Sequence, residues 1–111
     1  MVECVYPTGY TFRMYTILRS TEFDTWLTAL KDTTGKARIL HRIRSAQAGN
    51  FGDSKPVGKG VHEMRLHVGP GYRLYYTRKG DVIFWLLLGG TKSTQQRDIE
   101  KAISMALAMK D

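Results

Sequence analysis

In residues 61–68, Glu63, Arg65 and His67 alternate with Met64, Leu66 and Val68, so an extended chain carries the three ionisable groups on one face. Gly69-Pro70-Gly71 is a turn signal, and Arg73 and Tyr75 follow it on what reads as the adjacent strand, on the same face. Lys92 comes just after Gly89-Gly90, where the chain leaves the last strand. These groups suit cleavage of an RNA phosphodiester. In that reaction the ribose 2′-OH attacks the neighbouring phosphate. A carboxylate or neutral imidazole takes the hydroxyl proton, and an acid helps the 5′-oxygen leave. Guanidinium and ammonium groups stabilise the phosphorane, because the arginine fork matches phosphate oxygens. Glu63 and His67 are candidates for proton transfer; Arg65, Arg73 and Lys92 are candidates for phosphate stabilisation. The chemistry requires no metal or other cofactor, and no metal-ligand spacing is visible. Plainer readings stand beside this one: arginines paired with Glu63 across strands, a surface histidine, and tyrosines that only pack.

Charge points the same way. The chain has 17 Lys and Arg against 10 Asp and Glu, a net charge of +7. Residues 36–79 hold ten basic residues and only two acids, Asp53 and Glu63, so that stretch carries +8 and the remainder −1. Such a field attracts polyanions and implies nucleic acid or a strongly acidic protein as partner. Lys55, Lys59 and the face formed by Arg38, Arg42 and Arg44 are candidates for holding an RNA backbone, with Tyr75 as a stacking platform.

The elements that must position these groups fit one domain spanning residues 1–111. An apolar content of 42% argues against disorder. The longest apolar run, residues 82–88, is too short to span a membrane, and the N-terminus lacks a secretory pattern. The single cysteine, Cys4, has no internal disulfide partner and fits a reducing cytoplasm. Residues 10–18 read as a strand. Ser20 caps a helix with Phe23, Trp26, Leu27 and Leu30 at helical spacing, and Ala37, Leu40 and Ile43 mark a second. Residues 50–60 read as a loop, followed by an antiparallel meander and a final helix over residues 95–109. The order β-α-α-β-β-β-α is an α+β domain. Helices on one sheet face would leave the other face, or its rim, free for binding.

Two strings are distinctive: NFGDSKPVGKGVHEMRLHVGPGYRLYY from Asn50 to Tyr76, and LGGTKSTQQ from Leu88 to Gln96. With the helices around Phe23-Asp24-Thr25-Trp26-Leu27 and Ala37-Arg38-Ile39-Leu40-His41-Arg42-Ile43, they resemble the addiction-module killer proteins, the HigB-like branch of the RelE/ParE toxin superfamily. The resemblance covers nearly the whole chain. It implies a RelE-like fold, with an N-terminal strand and helical hairpin on a small antiparallel sheet and a C-terminal helix. It also implies a cytoplasmic toxin neutralised by a cognate antitoxin, cutting messenger RNA on the ribosome by metal-independent 2′-OH attack. Carried over by position, the family's phosphate-handling residues match Arg65, Arg73 of Gly71-Tyr72-Arg73, and Lys92. Glu63 stands where RelE has a lysine. RelE ends in a catalytic tyrosine, whereas this chain continues into the helix from Gln95. The general base is therefore open between Glu63 and His67. The ParE branch inhibits DNA gyrase instead, and a non-catalytic nucleic-acid-binding module is a further alternative.

Overall fold

The structure, a computed structural model, describes residues 15–80 and 83–109 and the backbone of two short strands nearer the N-terminus. Tyr10, Asp81 and Val82, which bound expected elements, and the side chain of Cys4 lie outside the described residues. The elements are β1 (Cys4–Val5), β2 (Thr11–Phe12), β3 (Thr16–Arg19), α1 (Thr21–Ala29), α2 (Thr33–Gln47), β4 (Ser54–Gly58), β5 (Val61–Arg65), β6 (Tyr72–Lys79), β7 (Ile83–Thr91), a 3-10 turn (Lys92–Thr94) and α3 (Gln95–Ala108). β1 pairs with β2. The other five strands form one sheet in the order β3-β7-β6-β5-β4.

Two expectations change here. The sheet is mixed, because β3 runs parallel to β7 while all other pairs are antiparallel. The α1–α2 hairpin carries the chain from one sheet edge to the other, and three hairpin reversals then return it beside β3 in the same direction. The segment expected as a loop also contains β4, whose Pro56 is tolerated because β4 is an edge strand.

Local chemistry sets the helix starts. Ser20 Oγ accepts from the Phe23 amide at 2.9 Å, as its position predicts. α2 begins earlier than its apolar spacing suggests, because Asp32 caps it by accepting from the Gly35 amide at 3.0 Å. The other Asp32 oxygen accepts from Tyr72 Oη at 2.8 Å and ties the cap to β6.

Both sheet faces are covered, correcting the expectation of an open face. Phe23, Leu27, Ile39, Leu74, Tyr76 and Phe84 fill the layer under α1 and α2. Val61, Tyr75, Leu87, Leu88 and Ala102 fill the layer under α3. A β-bulge between Tyr75 and Tyr76 pairs them with Leu88 and Leu86, so the adjacent Leu87 and Leu88 both enter the α3 layer. The reversed parity turns Gly89 toward Trp26 and Gly90 toward Asp98; a Cβ on either glycine would overlap those side chains.

Gly89→Ala is expected to force the Trp26 ring off β7 and cost about 1–3 kcal/mol, the usual range for overpacking. Urea unfolding followed by tryptophan fluorescence measures it.

Candidate functional site

Strand register brings the predicted basic groups together. Arg65 on β5 lies directly opposite Arg73 on β6, and Arg73 lies opposite Gly90 on β7. Beyond β7, the Lys92 amide donates to the Gly71 carbonyl at 2.8 Å. A Cβ on Gly71 would lie 3.2 Å from Lys92 Cβ and 3.5 Å from Arg73 Nη1. Gly71 has φ +80°, a conformation that favours glycine, so this residue allows both the turn and the close approach. Three separated segments thus meet at one corner. Arg73 is only 6% exposed, and its Nη1 donates to the Gly71 and Tyr72 carbonyls at 3.3 Å each. Lys92 is exposed.

A residue the sequence reading did not single out organises the other side of the corner. Asp53 Oδ1 accepts from Arg65 Nη2 at 2.9 Å and from Nε at 3.3 Å. Asp53 Oδ2 lies 2.6 Å from His67 Nε2. The Arg65 hydrogen bonds first, then that of His67, pull the Asp53 carboxyl down to about 2. The His67 side chain is 71% exposed, so its ring is reachable from solvent. The spacing of Arg65 and His67 did not reveal Asp53. Nor does the Gly58-Lys59-Gly60 turn, because a regular hairpin pairing Gly58 with Val61 sets residue 54 opposite residue 65; the register shift between Pro56 and Gly58 brings Asp53 there instead, and the Arg65 amide donates to the Asp53 carbonyl at 2.8 Å.

Arg42 takes a structural place rather than the expected RNA-facing one. Its Nη1 donates to the Arg65 carbonyl at 2.7 Å and its Nη2 to the Phe51 carbonyl at 2.9 Å. It fastens the segment holding Asp53 to the end of β5. Arg38 and Arg44 are exposed on α2.

Glu63 is wholly buried and is not on an open face beside Arg65. Its Oε2 accepts from Tyr75 Oη at 3.1 Å and from Gln95 Nε2 at 2.9 Å. Tyr75 is also wholly buried, so it offers no ring for a base to stack on. Burial first, then the Glu63 charge, pushes its phenol pKa up. Both corrections have one cause: α3 lies over this sheet face. Lys55 is exposed on β4 opposite Glu63, two residues along the ladder from the arginine pair. Lys59 is in the turn at the far end of β5 with φ +53°, away from the corner. Among the described residues, no three His, Cys, Asp or Glu side chains gather as a metal site requires. No helix among them is long and apolar enough to cross a membrane.

The corner can hold an anion with fixed cations and present an imidazole braced by a carboxylate. Because the folded Asp53 pKa lies below its ordinary 3.8, its contribution to stability is complete above about pH 4 and is lost as pH falls through about 2. Carbon-13 NMR titration is expected to place the Asp53 midpoint near 2, and Arg65→Ala is expected to return it toward 3.8. A midpoint unmoved by Arg65→Ala would show that the pair does not set it.

No protein-family model matches the chain. Over 84 residues the chain is 48% identical to an uncharacterized protein of Haemophilus influenzae, across 76% of this chain and 85% of that protein. Identity this high over most of both sequences places the chain in the same family as the Haemophilus influenzae protein.

Proposed function

We propose that this protein is the toxin of a type II toxin–antitoxin system, a RelE-like endonuclease that cuts messenger RNA on the ribosome in the cytoplasm and is neutralised by a cognate antitoxin. The observation that carries this reading is the convergence of Arg65, Arg73 and Lys92 on the Gly71 corner, beside an exposed histidine. One phosphodiester seated there meets cations from three segments. That arrangement stabilises a dianionic phosphorane more strongly than a monoanionic diester, which is the requirement for catalysis.

His67 is the general base in this reading, because Glu63 is buried and already accepts two hydrogen bonds. The His67 ring takes the 2′-OH proton as the 2′-oxygen bonds to phosphorus. The bond from phosphorus to the 5′-oxygen breaks, and the Lys92 ammonium protonates that oxygen. The products are a 2′,3′-cyclic phosphate and a 5′-hydroxyl; solvent returns the proton from His67 to Lys92. Arg65 holds the equatorial oxygens throughout with the N–H groups Asp53 leaves free, and Arg73, only 6% exposed, adds its positive charge from the facing strand position. Lys55, Arg38 and Arg44 hold RNA backbone further out. A stretch of charge +8 also suits an acidic antitoxin segment laid over it.

A second reading, a gyrase inhibitor that cuts nothing, draws on one observation: Asp53 already occupies Arg65. Inducing the wild type without its antitoxin and sequencing transcript ends separates the two. The expected result is new 2′,3′-cyclic phosphate ends in phase with codons. Lys92→Ala and His67→Ala, both at exposed positions, are expected to lower cutting by about 100-fold or more with the fold intact by circular dichroism. Intact transcripts with altered plasmid supercoiling would favour gyrase inhibition.

A further inference from the structure

Asp53 neither donates nor accepts a proton in the cleavage steps, yet it touches both Arg65 and His67 through different oxygens. We propose that Asp53 is a positioning residue that fixes the tautomer of His67, so that Nδ1 is the nitrogen that accepts the 2′-OH proton. This role rests on the endonuclease reading above.

Arg65 offers Asp53 Oδ1 two N–H groups and has no acceptor of its own. Oδ1 is therefore committed. Oδ2, also an acceptor, lies 2.6 Å from His67 Nε2. The neutral ring bonds to it only as a donor, with its proton on Nε2. The lone pair is then on Nδ1, the ring nitrogen that points away from Asp53. The brace is itself held. Arg42 donates to the Phe51 and Arg65 carbonyls, which brings the Asp53 segment to β5. The His67 ring, with most of its surface exposed, has no other hydrogen bond among the described residues to choose its tautomer.

The same accounting makes Asp53→Asn a specific test rather than a generic lesion. Arg65 presents only donors, so the amide oxygen of an asparagine at position 53 must face it. The amide nitrogen then faces His67 Nε2, which has to accept. The ring proton moves to Nδ1 and the basic lone pair is lost from the reacting position. Shape is nearly unchanged and the base is inverted.

The experiment reads ring nitrogens and cutting in parallel, in the full-length protein. Long-range proton–nitrogen NMR, with His67 assigned from a His67→Asn sample, is expected to show Nε2–H in the wild type and Nδ1–H in Asp53→Asn. Asp53→Ala offers neither partner a bond and is expected to show both tautomers, which keeps the test open should the asparagine variant fold poorly. Cutting of messenger RNA on ribosomes is expected to fall about 100- to 10,000-fold in kcat for Asp53→Asn, with KM little changed. Nε2–H retained in both variants overturns the proposal. Wild-type cutting rates in Asp53→Asn, beside an inactive His67→Ala, overturn it while leaving the endonuclease reading standing. A wild type that leaves RNA intact overturns that reading and this role with it.

Discussion

Two guanidinium groups stand directly opposite each other on neighbouring strands, and the surrounding structure answers their repulsion. Like charges at facing positions of an antiparallel pair are destabilising. Arg65 and Arg73 are such a pair. Asp53 takes Arg65 in a two-point hydrogen bond, and the Glu63 charge also favours its cationic form. Arg73 folds back on the carbonyls of Gly71 and Tyr72. The only two acids in the basic stretch of residues 36–79 are thus both close to this pair.

The beginning of α3 completes the corner from above. Gln95 reaches down to Glu63, and Thr94 donates to Asp98, which fits over Gly90 where a side chain would not. These contacts hold the 3-10 turn and with it Lys92. Burying the Glu63 carboxyl costs desolvation; Tyr75 and Gln95 bond its Oε2, while Oε1 has no hydrogen-bond partner among the described residues. What the arrangement gains is direction, since α3 cannot slide along the sheet without leaving a carboxylate unpaired. Lys92 is therefore exposed while its backbone is fixed to Gly71. The bulge in the β6–β7 pairing serves the same end, because without its change of parity Gly90 and Arg73 would not face α3 together.

Much of this was legible in the chain. Ser20 as a cap, the two N-terminal helices, the meander after residue 60 and the final helix all follow from capping residues, apolar spacing and glycine turns. So does the grouping of Arg65 with Arg73, because strand alternation and one Gly-Pro-Gly turn nearly determine their register. Side chains whose partners lie in another segment were not legible in this way. Alternation placed Glu63 on the Arg65 face correctly but could not say that α3 covers it. Tyr75 shares that fate, and Arg42 showed a cation without the carbonyls that claim it.

Composition, spacing and local caps therefore determined an α+β chain with a concentrated positive field and a strand pair bearing two arginines. Those are short-range properties, set by backbone geometry and by neighbours a few residues apart. Only the tertiary structure decided that β3 runs parallel to β7, that both sheet faces are covered, and that Asp53 stands between Arg65 and His67. Each of these depends on which distant segments exclude water from one another, and neither side-chain alternation nor helical spacing encodes that.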